Sequence, residues 1–389
     1  MSRPRTDNVL QLPNEILLRI TQDLPSRDVF FGVARTNRRL RDLVQNNLNS
    51  LPLFEAHCHV HVVDSAPGQP YRHDGTDPII SYSFTIYDPA LKDYGQKQRL
   101  CLRGNNIKFR ELHVNHVTPT AMYAELEKGL CDARLSPDIA FTLLSYMRVT
   151  AMRFQVRKLC KEESKRLKDD FFADCVEFCE RRCTKVQIKS LLLCSKSLLF
   201  PWTLDKMSIR RLTGLRSLRV LILENMTTLN PLLPLLSDLL SSLRGLQLRL
   251  DQRHRMDVDR VTWAPIDAML LDALAKAAVR NVDFSAYSDV ADFVSTITAA
   301  QMVTFILNWR TTARPWMIKS IAFNSMVTIG EFRSSVNHIN ANDEIVDVPY
   351  CRFRSFHVRS PKVALELACY ANGNTTQWLV RAGYIEKSP

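Results

Sequence analysis

The sequence predicts an α/β protein in which three short N-terminal helices precede a long series of strand–helix units. Two observations support this prediction. Apolar residues recur at helical spacing within residues 12–48, and an apolar-x-x-apolar-x-apolar pattern recurs along residues 79–389. A chain of 389 residues exceeds one small core and suits two or three domains, or one elongated repeat array.

The first predicted helix covers residues 12–20 and begins sharply. Pro13 suits a first helical turn because its missing N–H needs no partner there, and Glu15 faces the positive end of the helix dipole. Pro25 ends this helix. One apolar stripe at helical spacing is expected from Ile16, Leu17, Ile20 and Leu24.

Two further helices are predicted before residue 48. Ser26 can cap a second helix that carries Val29, Phe30 and Val33. A third, basic helix covers residues 37–46, and its inner face consists of Leu40, Leu43 and Val44. Three such short helices bury little surface alone, so a partner or a following domain must cover their remaining apolar residues.

The run LPNEILLRITQDLPSRDVFFGVARTNRRLRDL resembles the F-box motif over nearly its full length. The matching positions are Leu12, Pro13, Glu15, Ile16, Leu17, Ile20, Leu24, Pro25, Asp28, Val33 and Leu40. The chain departs from the motif at Asn37, where many F-boxes have tryptophan. Alternatively, these helices form a simple cap on the following domain and bind nothing.

The resemblance implies that the helices dock onto a Skp-type adaptor, which links them to a cullin scaffold. In such ubiquitin ligases the chemistry belongs to other subunits, so the resemblance implies a substrate adaptor and no enzyme. The adaptor-binding residues that it implies are Leu12, Pro13, Ile16, Leu17, Ile20, Leu24, Pro25, Val29, Val33 and Leu40.

The repeated apolar pattern predicts a series of similar strands, each with one buried face. Its members are Ile79/Tyr82/Phe84, Phe109/Leu112/Val114, Val149/Met152/Phe154, Ile188/Leu191/Leu193, Leu218/Leu221/Leu223, Leu243/Leu246/Leu248, Val279/Val282/Phe284, Ile318/Ile321/Phe323 and Phe353/Phe356/Val358. Helices are predicted between them at residues 137–147, 160–183, 264–279, 290–311 and 361–370. The alternation predicts a parallel strand stack with outer helices.

These segments resemble long, irregular leucine-rich repeats of the kind found behind F-boxes. The expected organisation is a tail at residues 1–11, an F-box at 12–48, a connecting strand and flexible loop at 49–78, and a repeat domain at 79–389. The strand is predicted because apolar and polar residues alternate from Phe54 to Val62, and the loop covers residues 64–78. The alternative architecture is a two-layer α/β domain whose strands are not stacked in chain order.

In a repeat domain, the residues between the apolar positions face an open, concave side that would bind an as yet unidentified protein substrate. The expected substrate-binding residues are Arg153, Gln155, Leu192, Val220, Ile222, Glu224, Gln247 and Arg249. Further members of the row are Glu111, His113, Cys194, Asp283, Ser285, Ala322, Asn324, His357 and Arg359. An apolar centre with a charged rim is typical of a protein-binding surface, although the same residues could instead be core.

Composition favours an intracellular, reduced protein in the cytoplasm, the nucleus or both. Ten scattered cysteines do not form a disulfide framework, and no apolar run is long enough to span a membrane. The net charge of +12 leaves one alternative, a basic repeat-type protein whose repeat domain binds nucleic acid or another anionic partner and whose F-box is degenerate. Acidic residues mixed among the basic ones favour a protein partner over nucleic acid.

The histidines and cysteines that could bind a metal or take part in catalysis are better explained by packing roles in the predicted strands and helices. His57, His59 and His61, with His73 nearby, would point in parallel from one strand and converge poorly on a metal. Cys175, Cys179 and Cys183 recur every four residues and suit a helix face packed on a sheet. Phosphate-loop, GxGxxG and GxSxG motifs are absent, so we expect no cofactor, no metal and no enzymatic activity.

Overall fold

The computed structural model describes residues 10–26, 28–63, 79–87, 98–105, 122–126, 144–157, 171–195, 215–224, 233, 236, 239–249, 266–277, 279–284, 294–336, 344–346, 351–372 and 374–384. The fold is mixed α/β. The chain divides into two compact units, the first comprising Met1–Arg153 with Asp174–Ile188 and the second Phe154–Ala173 with Lys189–Pro389. Among the described helices, none is both long enough and apolar enough to cross a membrane.

Unit 1 begins with the three short helices that the sequence predicts. Helix α1 covers Asn14–Gln22, a π-helical turn at Asp28–Val33 leads into α2 at Ala34–Thr36, and α3 covers Arg38–Asn46, followed by a 3-10 turn at Leu48–Ser50. The apolar residues predicted to form one stripe on α1 lie on two different sides of the helix. Leu17 and Thr21 are buried, whereas Ile16 and Ile20 point to solvent.

An antiparallel meander follows the helices in unit 1. Its strands are β1 at Phe54–Val63, β2 at Ile79–Tyr87, β3 at Gln98–Asn105 and β4 at Met122–Leu126. The alternation predicted for β1 is confirmed, because Ala56, Cys58 and Val60 are buried and the intervening histidines are half-buried. Tyr82 and Phe84 are also buried, but β2 pairs antiparallel with β1, so the prediction that this segment belongs to a parallel stack is wrong.

Two strands and one helix connect the two units along the chain. Strand β5 covers Met147–Arg157, α4 covers Phe171–Arg182, and β6 covers Lys185–Ser195. Helix α4 lies within the predicted range 160–183, and Val149, Met152 and Phe154 of β5 are buried as predicted. The predicted triplet Phe109/Leu112/Val114, the loop at 64–78, and the predicted helix at 137–147 before Leu144 lie outside the described residues.

Unit 2 contains parallel strands in chain order. After β6 come a 3-10 turn at Leu215–Ser217 and then the strands β7 at Val220–Glu224, β8 at Gly245–Arg249, β9 at Asn281–Phe284, β10 at Val294–Ser295 and β11 at Met317–Ser325. The strands β6, β7, β8, β9 and β11 pair successively in parallel, and β10 pairs with the end of β11. Helix α5 at Ala268–Lys276 precedes β9, and α6 at Ala299–Thr311 precedes β11, within two of the predicted ranges.

The apolar triplets from residue 188 to residue 323 are all buried, as the repeat pattern predicts. The strand β11 nevertheless contains a register shift between Ile318 and Ser320. Ile318 therefore pairs with Val282, the second position of the preceding triplet, and the fully buried Trp316 lies two residues before it. A bulge at Lys319 accommodates this extra residue.

The C-terminal part of unit 2 is antiparallel. Helix α7 covers Ile329–Val336, and the strands are β12 at Glu344–Val346, β13 at Cys351–His357, β14 at Ser360–Asn372 and β15 at Thr375–Tyr384. Strand order runs β12, β13, β14, β15, β11, with every neighbouring pair antiparallel. The helix predicted at residues 361–370 is wrong, since this segment forms β14.

The last predicted triplet, Phe353/Phe356/Val358, is also wrong, because its last two residues do not face the buried side of β13. Phe353 is buried, but Phe356 is half-buried and Val358 is 64% exposed. The buried positions of β13 are Cys351, Phe353, Ser355 and His357.

Helices pack on this inward face of the sheet. Phe332 of α7 contacts Phe353 and Trp378 with ring centroids 5.7 and 4.9 Å apart, and Trp309 of α6 contacts His357 at 5.5 Å.

Candidate protein-interaction surfaces

The outward side of α1 presents an apolar pair to solvent. Ile16 and Ile20 lie one helical turn apart and are 44% and 46% exposed. Pro13 is exposed beside them, and its carbonyl accepts the first helical hydrogen bonds, from the backbone N–H groups of Ile16 at 3.1 Å and Leu17 at 3.0 Å. Single exposed apolar residues are common, but two adjacent isoleucines on a short helix indicate a surface that a partner can cover.

Arg39 holds this surface in place by joining α3 to the beginning of α1. Its guanidinium donates hydrogen bonds to the Asn14 side chain at 2.7 and 3.0 Å, to the Leu12 carbonyl at 2.9 Å and to the Leu10 carbonyl. Asn37, where the sequence departs from the motif, is the N-cap of α3, and its side chain accepts from the Arg39 N–H at 2.8 Å. Asn37 therefore has a structural role that a tryptophan could not supply.

The inner side of the helices packs on the strands of unit 1. Val29, Phe30, Ala34, Leu43 and Val44 are buried. The Phe30 ring stacks on Tyr146 with centroids 4.2 Å apart and contacts Phe54 at 5.7 Å. The following domain thus covers part of the apolar surface, while Ile16 and Ile20 remain outside.

An open, mostly polar groove of about 610 Å³ lies between α1 and α3. Its lining residues are Asn14, Glu15, Leu18, Arg38, Arg39, Asp42, Leu43, Asn46 and Asn47. These side chains include carboxylates, guanidinium groups and amides, and such a polar mixture is typical of the rim of a protein interface.

The predicted adaptor-binding residues fall into three classes of exposure. Exposed are Pro13, Ile16, Ile20 and Pro25, half-buried are Leu12, Leu24, Val33 and Leu40, and buried are Leu17 and Val29. The two buried residues support the helices from within, so the exposed and half-buried ones are those that a partner could touch.

The second candidate surface is the outer face of unit 2, which we define as the outward positions of its strands. The residues Leu192, Ile222, Gln247 and Asp283 lie directly opposite one another on β6, β7, β8 and β9. They are half-buried, as are Val220 and Glu224, whereas the inward triplets are buried. Part of each of these side chains is therefore accessible.

Several residues predicted for this surface are placed differently. Gln155 is 2% exposed and Arg153 is half-buried, so the prediction that Gln155 is accessible is wrong. Cys194, Ala322 and Asn324 are buried, so the prediction that they are accessible is also wrong. Arg249 lies opposite Glu224 in β8, and its side chain, like the residues Glu111, His113 and Ser285, lies outside the described part of the chain.

His357 also lies away from the predicted surface, although its neighbour Arg359 is exposed. The His357 ring is 1% exposed, and its Nε2 is 2.9 Å from the Thr312 carbonyl. Its Nδ1 accepts the Arg359 backbone N–H at 3.1 Å. Nε2 therefore carries the proton that is donated to Thr312, and His357 has a structural role on the inward face.

Sequence reasoning missed a basic residue that follows the first position of several apolar triplets. This residue is Lys189, Arg219, Arg244 and Arg280 in four successive triplets. It also missed a charged cluster on the antiparallel strands, formed by Arg352, Arg354, Glu366 and Arg381. The alternating segment CRFRSFH and the fixed position of lysine or arginine are the signals that could have found them.

The buried thiols of unit 1 form a packed cluster. Cys58 and Cys179 are 3.8 Å apart between Sγ atoms, and the Tyr82 hydroxyl donates to the Cys175 Sγ at 3.4 Å. Burial raises the pKa of the Cys58 and Cys183 thiols above the ordinary value of 9.0, and the contact with Cys58 together with burial raises the pKa of Cys179. These thiols are neutral at pH 7 and pack as small apolar groups.

The described part of the chain contains no group of three or more His, Cys, Asp or Glu side chains placed to hold a metal ion. His57, His59 and His61 are half-buried on one side of β1. No family profile, no curated protein and no solved structure matches this chain. The surfaces themselves therefore have to support any functional conclusion.

Proposed function

We propose that this chain is the substrate-recognition subunit of an SCF-type ubiquitin ligase. In this proposal residues 12–48 are an F-box that binds a Skp-type adaptor, and the strands of unit 2 belong to an irregular leucine-rich-repeat-like domain that binds a protein target. The observation that supports it best is the exposed pair Ile16 and Ile20 on a short helix whose other side is fixed by buried contacts.

The energetics of α1 favour a partner at this position. Full burial of an isoleucine side chain contributes about 1.5–3 kcal/mol, and roughly half of that remains available on each of two half-exposed side chains. The Arg39 hydrogen bonds hold the backbone around Pro13 and Asn14, so a partner meets a preorganised surface and loses little conformational entropy on binding.

The proposed mechanism is proximity and requires no catalytic group in this chain. The helical unit holds the chain on the ligase scaffold, and a target bound to the other unit is kept at a high effective concentration near the conjugating enzyme. Outer-face residues such as Leu192, Val220 and Ile222 are accessible apolar side chains for such a target.

The first experiment is co-expression of the chain with a Skp-type adaptor, followed by affinity purification. The test variant is Ile16→Asp/Ile20→Asp, which introduces two charges into the proposed interface. Adaptor recovery should fall by at least about tenfold, because a buried and unpaired carboxylate is strongly unfavourable.

A matched control is available on unit 2. Leu307 and Met326 are 45% and 64% exposed, so Leu307→Asp/Met326→Asp makes the same chemical change at comparable exposure elsewhere. The control should retain the adaptor as the wild type does. Recovery that is absent for the wild type, or equal for the test variant and the wild type, would show that the helices do not bind the adaptor through α1.

A further inference from the structure

Four basic residues occupy the same position in consecutive repeats of unit 2. Each follows the first buried apolar residue of its triplet and comes directly before the first residue that pairs in the parallel ladder, giving the local sequences Ile-Lys-Ser-Leu, Leu-Arg-Val-Leu, Leu-Arg-Gly-Leu and Val-Arg-Asn-Val. The basic members are Lys189, Arg219, Arg244 and Arg280, which we call the basic row.

Backbone hydrogen bonds place the members of the basic row side by side. The N–H of Arg219 donates to the Lys189 carbonyl at 2.7 Å, that of Arg244 to Arg219 at 2.6 Å, and that of Arg280 to Arg244 at 2.9 Å. Adjacent strands are about 4.8 Å apart, so the four residues cover about 14 Å along the line where the parallel pairing begins.

The basic row is accessible. Lys189, Arg219 and Arg280 are exposed and Arg244 is half-buried. The Arg219 guanidinium donates to the carbonyls of Leu218 at 3.2 Å and Ser242 at 3.1 Å, which fixes its charge against the edge. Within the described residues, no carboxylate forms an ion pair with Lys189 or Arg280, so these two members of the row are charges that a partner could pair with.

A basic groove of about 370 Å³ lies on the antiparallel strands of the same unit. Its charged lining residues are Lys319, Arg354, Glu366 and Arg381, and the side chain of Tyr384, which also lines it, is 73% exposed. Arg354 and Arg381 lie directly opposite Glu366 on its two neighbouring strands, and Arg354 donates to Glu366 at 3.0 Å.

The groove and the basic row lie at the same end of the sheet. The Met317 N–H, where β11 begins, donates to the Arg280 carbonyl at 2.5 Å, and Lys319 follows two residues later. Arg352 adds a further charge at 3.7 Å from Glu366. On the adjacent strand β12, Glu344 lies opposite Arg354, so acidic residues offset only part of this charge.

We propose that the basic row and the basic groove together bind an extended acidic peptide segment of a target protein. This inference rests on the proposed function, because it assigns the chemical class of the target. A segment of about four to five extended residues covers the row, and a longer one reaches the groove. Carboxylate side chains of the segment pair with the exposed guanidinium and ammonium groups.

The surroundings of the row favour a peptide over nucleic acid. Single-stranded nucleic acids are held by aromatic side chains that stack on bases between the cations. The residues that directly follow the basic row in sequence are Ser190, Val220, Gly245 and Asn281, and none of these four is aromatic. Val220 and the nearby Ile222 supply accessible apolar surface for the side chains of a peptide. Tyrosine and arginine in the groove are the residue types most enriched where partner proteins bind tightly.

The experiment measures fluorescence polarisation of a labelled peptide in which glutamate alternates with leucine, titrated with the full-length chain. A peptide with glutamine in place of glutamate is the neutral control, and an oligothymidylate of equal charge is the nucleic-acid probe. We expect the glutamate peptide to bind more tightly than both, with an affinity that falls as salt is raised.

The test variant is Lys189→Glu/Arg280→Glu, which reverses two exposed charges and leaves the Arg219 hydrogen bonds intact. We expect affinity for the glutamate peptide to fall by about tenfold or more, with a melting temperature within about 2 °C of the wild type. Arg35→Glu/Arg41→Glu makes the same change in net charge on exposed residues of unit 1 and should leave the affinity nearly unchanged.

A second variant, Glu366→Gln, removes the groove's own carboxylate. It should tighten binding of the glutamate peptide by about two- to fivefold, since a competing intramolecular anion is lost. Equal losses in the test and control variants, tighter binding of the oligothymidylate, or no binding of the glutamate peptide would each overturn the inference. Adaptor recovery by the wild type and by Lys189→Glu/Arg280→Glu separates that outcome from a failure of the proposed function, because the proposed adaptor site lies within residues 12–48 and contains neither substituted residue.

Discussion

The parallel and antiparallel regions of unit 2 show how the same strand pattern is used in two ways. The strands β7 and β9 bury alternate residues and run parallel to their neighbours, whereas β13 and β15 show the same alternation and run antiparallel to β14. The difference lies in the connections. Only residues 358–359 separate β13 from β14, and only residues 373–374 separate β14 from β15. A parallel crossover needs a dozen or more residues, so these short connections permit only hairpins.

The largest effect is expected in the core of the antiparallel region. Trp378 is fully buried, contacts Phe332 at 4.9 Å, and donates from Nε1 to the Ser325 hydroxyl at 2.8 Å. We expect Trp378→Ala to lower the free energy of unfolding by about 3–5 kcal/mol, measured by urea denaturation followed by circular dichroism. A loss below about 1 kcal/mol would mean that the antiparallel strands contribute little to the stability of the unit.

The next effect distinguishes the two faces of the parallel region through two neighbouring residues. Leu221 is fully buried and Ile222 is half-buried on the same strand. Leu221→Ala should cost about 2–5 kcal/mol, and Ile222→Ala about 1 kcal/mol or less, because only the first leaves a cavity. Equal costs in the same denaturation assay would indicate that the outer face is covered, and would remove Ile222 from the proposed binding surface.

The smallest effect concerns pH and the buried thiol of β14. Burial, with a contribution from Cys351, raises the pKa of Cys369 to about 12, and its Sγ donates to the Cys351 carbonyl at 3.3 Å. Because the folded pKa lies above the ordinary value of 9.0, the resulting stability is complete below pH 9 and is lost as the pH rises toward 12.

We therefore expect the melting temperature of the wild type to fall more steeply above pH 9 than that of Cys369→Ala. Other groups titrate in both proteins, so the measured quantity is the difference between the two pH profiles. Parallel profiles would show that Cys369 ionises without loss of structure.

Short-range patterns allowed part of both candidate surfaces to be predicted. The exposed pair Ile16 and Ile20 was included among the predicted adaptor-binding residues, and the accessible positions Leu192, Ile222 and Gln247 follow from strand alternation alone. The prediction failed where a larger context decides accessibility. Strand alternation predicts that Gln155 and Asn324 face outward, yet both residues are buried.

The sequence by itself determined where apolar side chains recur, and hence which residues of the parallel strands are buried. Periodicity is a local property, since every second side chain of a strand faces the same way. Tertiary structure alone decided strand direction, the bulge at Lys319 and the meeting of Arg354, Glu366 and Arg381 on three neighbouring strands. These features depend on which strands pair and in which register, and residues distant in the sequence acquire that relation only when the chain folds.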